Sequence, residues 1–162
     1  MINDLLNYDL KIYQNPDYFK FSIDSVLLAE FVDITYRVKN IIDFCSGNAP
    51  VPMILSTKFD KNIVGVEIQK DIYELGLKSI QKNKISNINF INMDLKNCSD
   101  FFDYKFDIIT CNPPYFKYIN KNVINENNTK AIARHEILIN LEDIVSTASK
   151  IIKHSGSLYF VH

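Results

Sequence analysis

Short apolar, β-branched runs alternate along this chain with longer stretches in which apolar residues recur every three to four positions. The first pattern marks buried strands and the second helices with one buried side. Strands are expected at 40–45, 62–67, 88–93, 105–111 and 157–161. Helices are expected at 49–58, 69–84 and 140–153, with Leu141, Ile144, Val145, Ala148, Ile151 and Ile152 at helical spacing in the last. An earlier helix, capped by Ser22 or Asp24, is expected to run to about Val38, with Val26, Leu27, Leu28, Phe31 and Val32 on its apolar side. Residues 3–21 read as an irregular arm or short hairpin, and 95–103 as a short connection with room for one helical turn. Gly156 is expected just after the C-terminus of the last helix. Strands alternating with helices imply parallel strands, right-handed crossovers and helices on both faces of one sheet, an α/β architecture. No internal repeat or linker divides the chain, so residues 1–162 read as one domain, with 1–38 as an N-terminal arm and helix.

The strand at 105–111 runs into Asn112-Pro113-Pro114-Tyr115. Each proline fixes φ near −65° and lacks an N–H, and the residue before it is held extended. Carbonyls in such a turn stand in fixed directions. With the side-chain oxygen of Asn112 and a turn carbonyl, two acceptors can converge on one –NH2 group, and Tyr115 offers a flat face for a base. That arrangement suits methylation of an exocyclic amine, whose lone pair is delocalised into its ring. Two acceptors on the N–H bonds favour a tetrahedral nitrogen, and no base titrating near neutrality is needed; preorganised dipoles do the work. Alone, Pro-Pro would only terminate a strand; the surrounding elements argue for more.

Upstream, Asn40–Cys45 leads through Ser46-Gly47-Asn48-Ala49-Pro50 into a helix. A strand, a tight turn of small residues and a helix is how α/β nucleotide sites begin, and glycine in the turn admits close approach of a ligand. The spacing fits Asp-x-Gly-x-Gly-x-Gly from Asp43, with Cys45 and Ala49 at the first and third glycine positions. The next strand ends in Glu67, suited to ribose hydroxyls, and the third ends before Asp94, where a carboxylate could accept from an adenine amino group. Any one of these acids would read as an N-cap or a solvated loop residue. Ordered at successive strand ends with Asn112, they read as one crevice.

The net charge of −1 and pI near 6.3 exclude a strongly basic nucleic-acid-coating surface but leave room for a local patch. Lys117, Lys121, Lys130 and Arg134, with Phe116 and Tyr118, flank an Asn-rich stretch from Asn120 to Asn128 that reads as a mobile loop beside the proline turn. Aromatics interleaved with lysines suit single-stranded nucleic acid; an ordinary solvated loop has the same composition. No apolar run is long enough to span a bilayer, and the N-terminus carries no signal-like segment. Cys45, Cys98 and Cys111 have no metal-ligand spacing and read as reduced residues of a cytoplasmic protein, a catalytic thiol being the sharper alternative.

These features together resemble the class I S-adenosylmethionine-dependent methyltransferases, and most closely the bacterial tRNA(Val) adenine-N6 methyltransferases. The resemblance is carried by Gln14 through Leu28, Asp43 through Leu55, Val64 through Gln69, Asn92 through Leu95, Asn112 through Tyr115, and Ala133-Arg134-His135-Glu136 with Leu141-Glu142-Asp143. It implies a Rossmann-like doubly wound sheet of order 3-2-1-4-5. It implies S-adenosyl-L-methionine as cofactor, held by Asp43, Cys45, Ser46, Gly47, Asn48, Glu67, Ile68, Asp94, Leu95 and Asn112. It implies Asn112, Pro113, Pro114 and Tyr115 as the catalytic turn, with the Pro113 carbonyl as second acceptor. Tyr115, Phe116, Lys117, Lys121, Lys130 and Arg134 would contact a single-stranded anticodon loop of tRNA, and no metal is implied.

Other substrates share the proline turn. A glutamine side chain of a release factor and a guanine N2 of ribosomal RNA are alternatives, as is a fragment that binds cofactor or RNA without turnover. The family fold continues through a further helix and an antiparallel hairpin, so a chain ending at His162 is expected to be a fragment lacking them. Strand five would then be an exposed apolar edge, open to self-association.

Overall fold

The computed structural model describes residues 1–5, 8–15, 22–113 and 140–161. The chain begins with a two-stranded antiparallel hairpin, β1 (Ile2–Asp4) and β2 (Lys11–Tyr13). There follow α1 (Ile23–Phe31), β3 (Asn40–Phe44), α2 (Pro50–Ser56), β4 (Asn62–Glu67), α3 (Lys70–Lys82) and β5 (Ile88–Asn92). A 3-10 turn (Leu95–Asn97) and the short α4 (Cys98–Phe101) lead to β6 (Phe106–Cys111), α5 (Leu141–Ile151) and β7 (Ile152–Phe160). The five later strands form one parallel sheet of order β5-β4-β3-β6-β7. That is the 3-2-1-4-5 arrangement expected from the sequence.

Alternation along the strands supplies two cores. Ile41, Ile63 and Ile108 face Leu28 and Ala29 of α1, Met53, Ile54 and Leu55 of α2, and Ile80 of α3. Ile42, Phe44, Val64, Val66 and Ile109 face Leu95, Cys98 and the α5 residues Ile144, Ala148 and Ile151 on the other side. Burying a large aliphatic or aromatic side chain contributes about 1.5–3 kcal/mol. A sheet covered on both faces therefore reads as continuous apolar runs rather than as strict alternation.

The hairpin is fastened to α3. Lys11 N–H donates to Asn83 Oδ1 (2.8 Å), Asn83 Nδ2 donates to the Lys11 carbonyl (2.6 Å), and Tyr13 N–H donates to Ser79 Oγ (2.9 Å). Asn48 Nδ2 also reaches the Tyr13 carbonyl (2.8 Å), which brings the end of β2 against the turn after β3.

Two boundaries differ from the sequence reading. The first helix ends at Phe31 instead of near Val38, and Val32 is already extended. The segment beyond it is rich in β-branched residues, which favour extended backbone. Lysines after α2 cap the end of the helix and this segment: Lys58 Nζ reaches the carbonyls of Glu30 (3.4 Å) and Val32 (3.3 Å), and Lys61 Nζ that of Val38 (2.9 Å). Leu27 and Phe31, expected on the apolar side, are 57% and 78% exposed, because the helix packs through Leu28 and Ala29 instead. The last strand starts at Ile152 instead of 157, directly after α5. Its pairing to β6 is irregular, with Phe106 opposite Ile152 but Ile108 opposite Ser157. Gly156 therefore lies inside the bulged strand and not at a helix end. A Cβ there would stand 2.5 Å from Ile152 Cγ1 and 2.9 Å from the Asp107 carbonyl oxygen, so the bulge admits only glycine without rearrangement.

Candidate active site

The carboxyl ends of β3, β4, β5 and β6 converge on one crevice, the usual location of ligands in an open α/β sheet. The turn after β3 forms its floor. Cys45, Gly47 and Ala49 all have positive φ, 53°, 57° and 71°. The left-handed backbone of the glycine-rich pattern is thus kept at each of its three positions, although two carry side chains. For such residues this costs about 1–2 kcal/mol each, offset here by the bonds that tie the turn down. Ser46 N–H donates to the Val66 carbonyl (3.0 Å), Ser46 Oγ to the Asp43 carbonyl (2.9 Å) and Ala49 N–H to the Ser46 carbonyl (2.9 Å).

Glu67 closes the turn from the neighbouring strand. Its Oε2 accepts from Gly47 N–H (2.9 Å) and its Oε1 from Gln69 N–H (2.8 Å). The Ile68 N–H and the Gln69 side chain also help to hold its charged form. Asp43 is buried at the end of β3, where Thr110 Oγ1 of β6 donates to its Oδ1 (2.6 Å). Burial raises the Asp43 carboxyl to about 7, against hydrogen bonds from Thr110 and Ser46 that lower it. Burial also raises Glu67, against the backbone N–H groups that hold its charged form. Two carboxyls held towards neutrality in one crevice mark a functional site.

Ile68 is 40% exposed beside this carboxylate. Asn92 Nδ2 bridges the carbonyls of Glu67 (2.7 Å) and Ile68 (3.0 Å), fixing the path of the chain after β4. Asp94 caps the 3-10 turn by accepting from Lys96 N–H (3.0 Å), with Lys96 Nζ 3.6 Å from its other oxygen. Leu95 is buried in the second core and offers its backbone rather than its side chain. Asn112 stands at the end of β6 and donates from Nδ2 to Ser25 Oγ of α1 (2.9 Å); Pro113 is buried. Pro114, Tyr115, Phe116, Lys117, Lys121, Lys130 and Arg134 lie outside the described residues.

The structure thus links Asp43, Ser46, Gly47 and Glu67 by hydrogen bonds at adjoining strand ends, and sets Cys45, Asn48, Ile68, Asp94 and Asn112 just beyond the ends of β3, β4, β5 and β6. It adds Ser25, Thr110 and Asn92, which the sequence reading missed. Thr110 was detectable as a polar residue within an apolar strand; Ser25 and Asn92 carried no local signal. Cys98 and Cys111 are poorly suited to act as catalytic thiols. Burial pushes Cys98 up to about 12 and raises Cys111 as well, which keeps both protonated, and the thiolate is the nucleophile. Among the described residues, no three His, Cys, Asp or Glu side chains are grouped to hold a metal ion, and no helix is long and apolar enough to cross a membrane.

The crevice fits a nucleoside-bearing cofactor with a cationic amine. A Cβ built on Gly47 meets nothing within 4 Å, so a ligand has room against the turn. Asp43 offers a buried carboxyl for a cation and Glu67 a carboxylate for a ribose diol. We expect Gly47→Ala to weaken S-adenosylmethionine binding by tenfold or more in calorimetric titration. The added methyl enters this open space, and the positive φ costs a further ~1 kcal/mol or more. An unchanged affinity would place the cofactor elsewhere.

Comparison with known proteins agrees with this geometry. A tRNA1(Val) (adenine(37)-N6)-methyltransferase of Cytophaga hutchinsonii is 24% identical over 161 residues, covering 93% of this chain and 62% of that protein. One of the same name from Haemophilus influenzae is 28% identical over 156 residues, covering 93% of this chain and 64% of that protein. The chain therefore spans under two thirds of the length of these curated relatives. A 16S rRNA N2 methyltransferase of T. thermophilus, solved with AdoMet and guanosine, superposes with a TM-score of 0.70 at 18% identity, over 100% of this chain and 41% of that one, which shows the shared Rossmann-like fold. The family model described as methyltransferase small domain matches residues 18–162, and this chain belongs to that family.

Proposed function

We propose that this chain transfers a methyl group from S-adenosyl-L-methionine to the exocyclic N6 amine of an adenine in tRNA, beside the anticodon of a tRNA(Val). The observation that carries the reading is Asn112 at the end of β6, its Nδ2 engaged by Ser25 (2.9 Å), which leaves the Oδ1 acceptor for a target amine. The names of the relatives favour adenine N6 over other amines.

When bound, the cofactor supplies an electrophilic methyl group on a sulfonium. The chain's own part is to hold and polarise the amine. Asn112 Oδ1 and the Pro113 carbonyl accept its two N–H bonds, which draws the nitrogen towards a tetrahedral geometry and frees its lone pair. These dipoles are fixed before substrate arrives, so little reorganisation is required. Asp43 and the turn at 45–49 hold the methionine moiety, Glu67 the ribose, and Ile68, Asp94 and the Leu95 backbone the adenine ring. Tyr115 stacks on the extruded base. Extrusion costs a few kcal/mol, least from a single-stranded loop, and stacking returns about 1–3 kcal/mol per base. Phe116, Lys117, Lys121, Lys130 and Arg134 would follow the RNA backbone. Action on tRNA would place the protein in the cytoplasm.

Nucleoside mass spectrometry after incubation with S-adenosylmethionine and unmodified tRNA(Val) tests the reading. N6-methyladenosine that depends on Asn112 supports it. Product only with a guanine-containing ribosomal RNA, or only on a release-factor glutamine, would replace adenine as the substrate. No product with any of them would mean a binding fragment.

Among the described residues β7 is the outer strand of the sheet. Nearby, Phe31 of α1 is exposed and contacts Tyr159 of this strand edge-on, with ring centroids 6.1 Å apart. We infer that this outer strand, beside exposed aromatic surface, favours pairing between copies, so concentration-dependent self-association is expected in light scattering. A single monomeric mass across a hundredfold concentration range would refute it.

A further inference from the structure

We propose that Thr110 is a positioning residue of the cofactor site, whose hydroxyl holds the Asp43 carboxylate in its charged form for the amine of the methionine moiety. This rests on the reading of Asp43 as that amine's partner. Register sets the pair side by side: Asp43 on β3 stands directly opposite Thr110 on β6. Thr110 Oγ1 lies 2.6 Å from Asp43 Oδ1, and the two residues are 0% and 1% exposed, so water does not replace the bond. Thr110 sits among Phe106, Ile108, Ile109 and Cys111, all buried in the same strand. Valine would suit such a strand at least as well, and a buried hydroxyl without a partner costs free energy. What the hydroxyl adds is its bond to Asp43.

That bond favours the charged form whichever way it runs in the neutral one. A protonated carboxyl can donate to the hydroxyl or accept from it. An ionised carboxylate only accepts, so Thr110 is then the donor. Such charge-assisted bonds are about twice as strong as neutral ones. The difference favours ionisation about tenfold, or about one unit on the pH axis. Burial opposes ionisation most, and Glu67 at the end of β4 opposes it through its own charge, while Ser46 assists Thr110. Cys111, the neighbour of Thr110 in β6, is itself held protonated by burial. Without the hydroxyl, Asp43 is mostly neutral at pH 7 and offers a cationic amine little. The strand that leads into the proline turn thus also prepares the cofactor's partner.

The test compares wild type, Thr110→Val and Thr110→Ser, with melting temperatures at pH 5 confirming that each folds; Thr110→Ala replaces valine if that variant does not. The first readout needs no cofactor. It is the pH titration of the Asp43 carboxyl ¹³C signal in aspartate-labelled protein, assigned by its disappearance in Asp43→Asn. Thr110→Val is expected to raise the midpoint by about one unit, and Thr110→Ser to restore it. An unchanged midpoint in Thr110→Val would overturn the inference. The second readout is calorimetric titration with S-adenosylmethionine at pH 6 and pH 8.5. Thr110→Val is expected to bind about tenfold more weakly at pH 6 and within about twofold of wild type at pH 8.5, because both proteins are then largely ionised at Asp43. Equal weakening at both values would show a merely structural role and overturn the inference. A raised midpoint with unchanged affinity at both values would instead overturn the reading of Asp43 as the cofactor's partner.

Discussion

Asn112→Ala is expected to lower kcat for methyl transfer about a hundred- to thousandfold, the usual cost of deleting one preorganised dipole from a reacting centre. The effect should fall on kcat more than on KM for tRNA. On the proposed reading the other RNA contacts lie elsewhere, and an interaction realised in the transition state appears in kcat. Stability should change little. The side chain is only partly buried, and its single protein bond is to Ser25 among the described residues. Asn112→Asp is the sharper variant. It keeps an acceptor but loses the Nδ2–H that bonds Ser25 and adds a negative charge in the crevice. It should be nearly as inactive as alanine. Single-turnover measurements with saturating cofactor check both, and an Asn112→Ala enzyme within tenfold of wild type would remove the catalytic role from this turn.

The second large effect concerns pH. Asp43 is raised from 3.8 to about 7 by burial, against its bonds from Thr110 and Ser46. Between these values the folded protein keeps a proton that the unfolded chain has lost. Stability therefore falls as pH rises through this window and levels off above about 7. The full loss is of order 4 kcal/mol at about 1.4 kcal/mol per unit. Glu67, raised by burial against its backbone bonds, acts in the same direction. Asp107 acts oppositely. Burial alone would raise it, but Lys153 and the N–H groups of Asn40 and Lys39 outweigh that and hold it low, so its contribution is lost only at more acidic pH. Urea midpoints at pH 5 and pH 8 should show the decline. Asp43→Asn keeps an acceptor for Thr110 and should flatten it, leaving the variant more stable than wild type at pH 8. A cationic ligand beside Asp43 favours its charged form, so cofactor affinity should rise as pH passes through about 7. A wild-type stability independent of pH across this window would show that Asp43 is ionised throughout.

The strands of the sheet were legible because each announces itself locally; their order came from the family resemblance. Ile41, Ile42, Ile63, Val64, Ile108 and Ile109 are buried on alternate faces of one parallel sheet, so an apolar run bounded by turns was enough. The capping box of Asn140 and Asp143 likewise sits in four consecutive residues and starts α5 where the pattern placed it, to within one residue. The exceptions were decided at a distance. The first helix stops early because Lys58 and Lys61 cap carbonyls more than twenty residues before them. The last strand starts early because residues beyond Ile152 bulge against β6 around Gly156.

The site divides the same way. Asp43, Gly47, Glu67 and Asn112 were legible because each lies at or just after the end of a strand, and strand ends in such a sheet converge by topology. Cys45 and Ala49 were read as departures from a glycine pattern; only the backbone shows that both keep positive φ. Sequence alone therefore determined the α/β class and the positions of the strands, since period, spacing and turn chemistry are properties of neighbours along the chain, while the strand order rested on the family resemblance. Tertiary structure alone decided that Thr110 holds Asp43, that Glu67 latches the turn through Gly47, and that Asn112 bonds Ser25. Each of these is a hydrogen bond between residues far apart in sequence, and its geometry exists only once the core has fixed the distance between two elements.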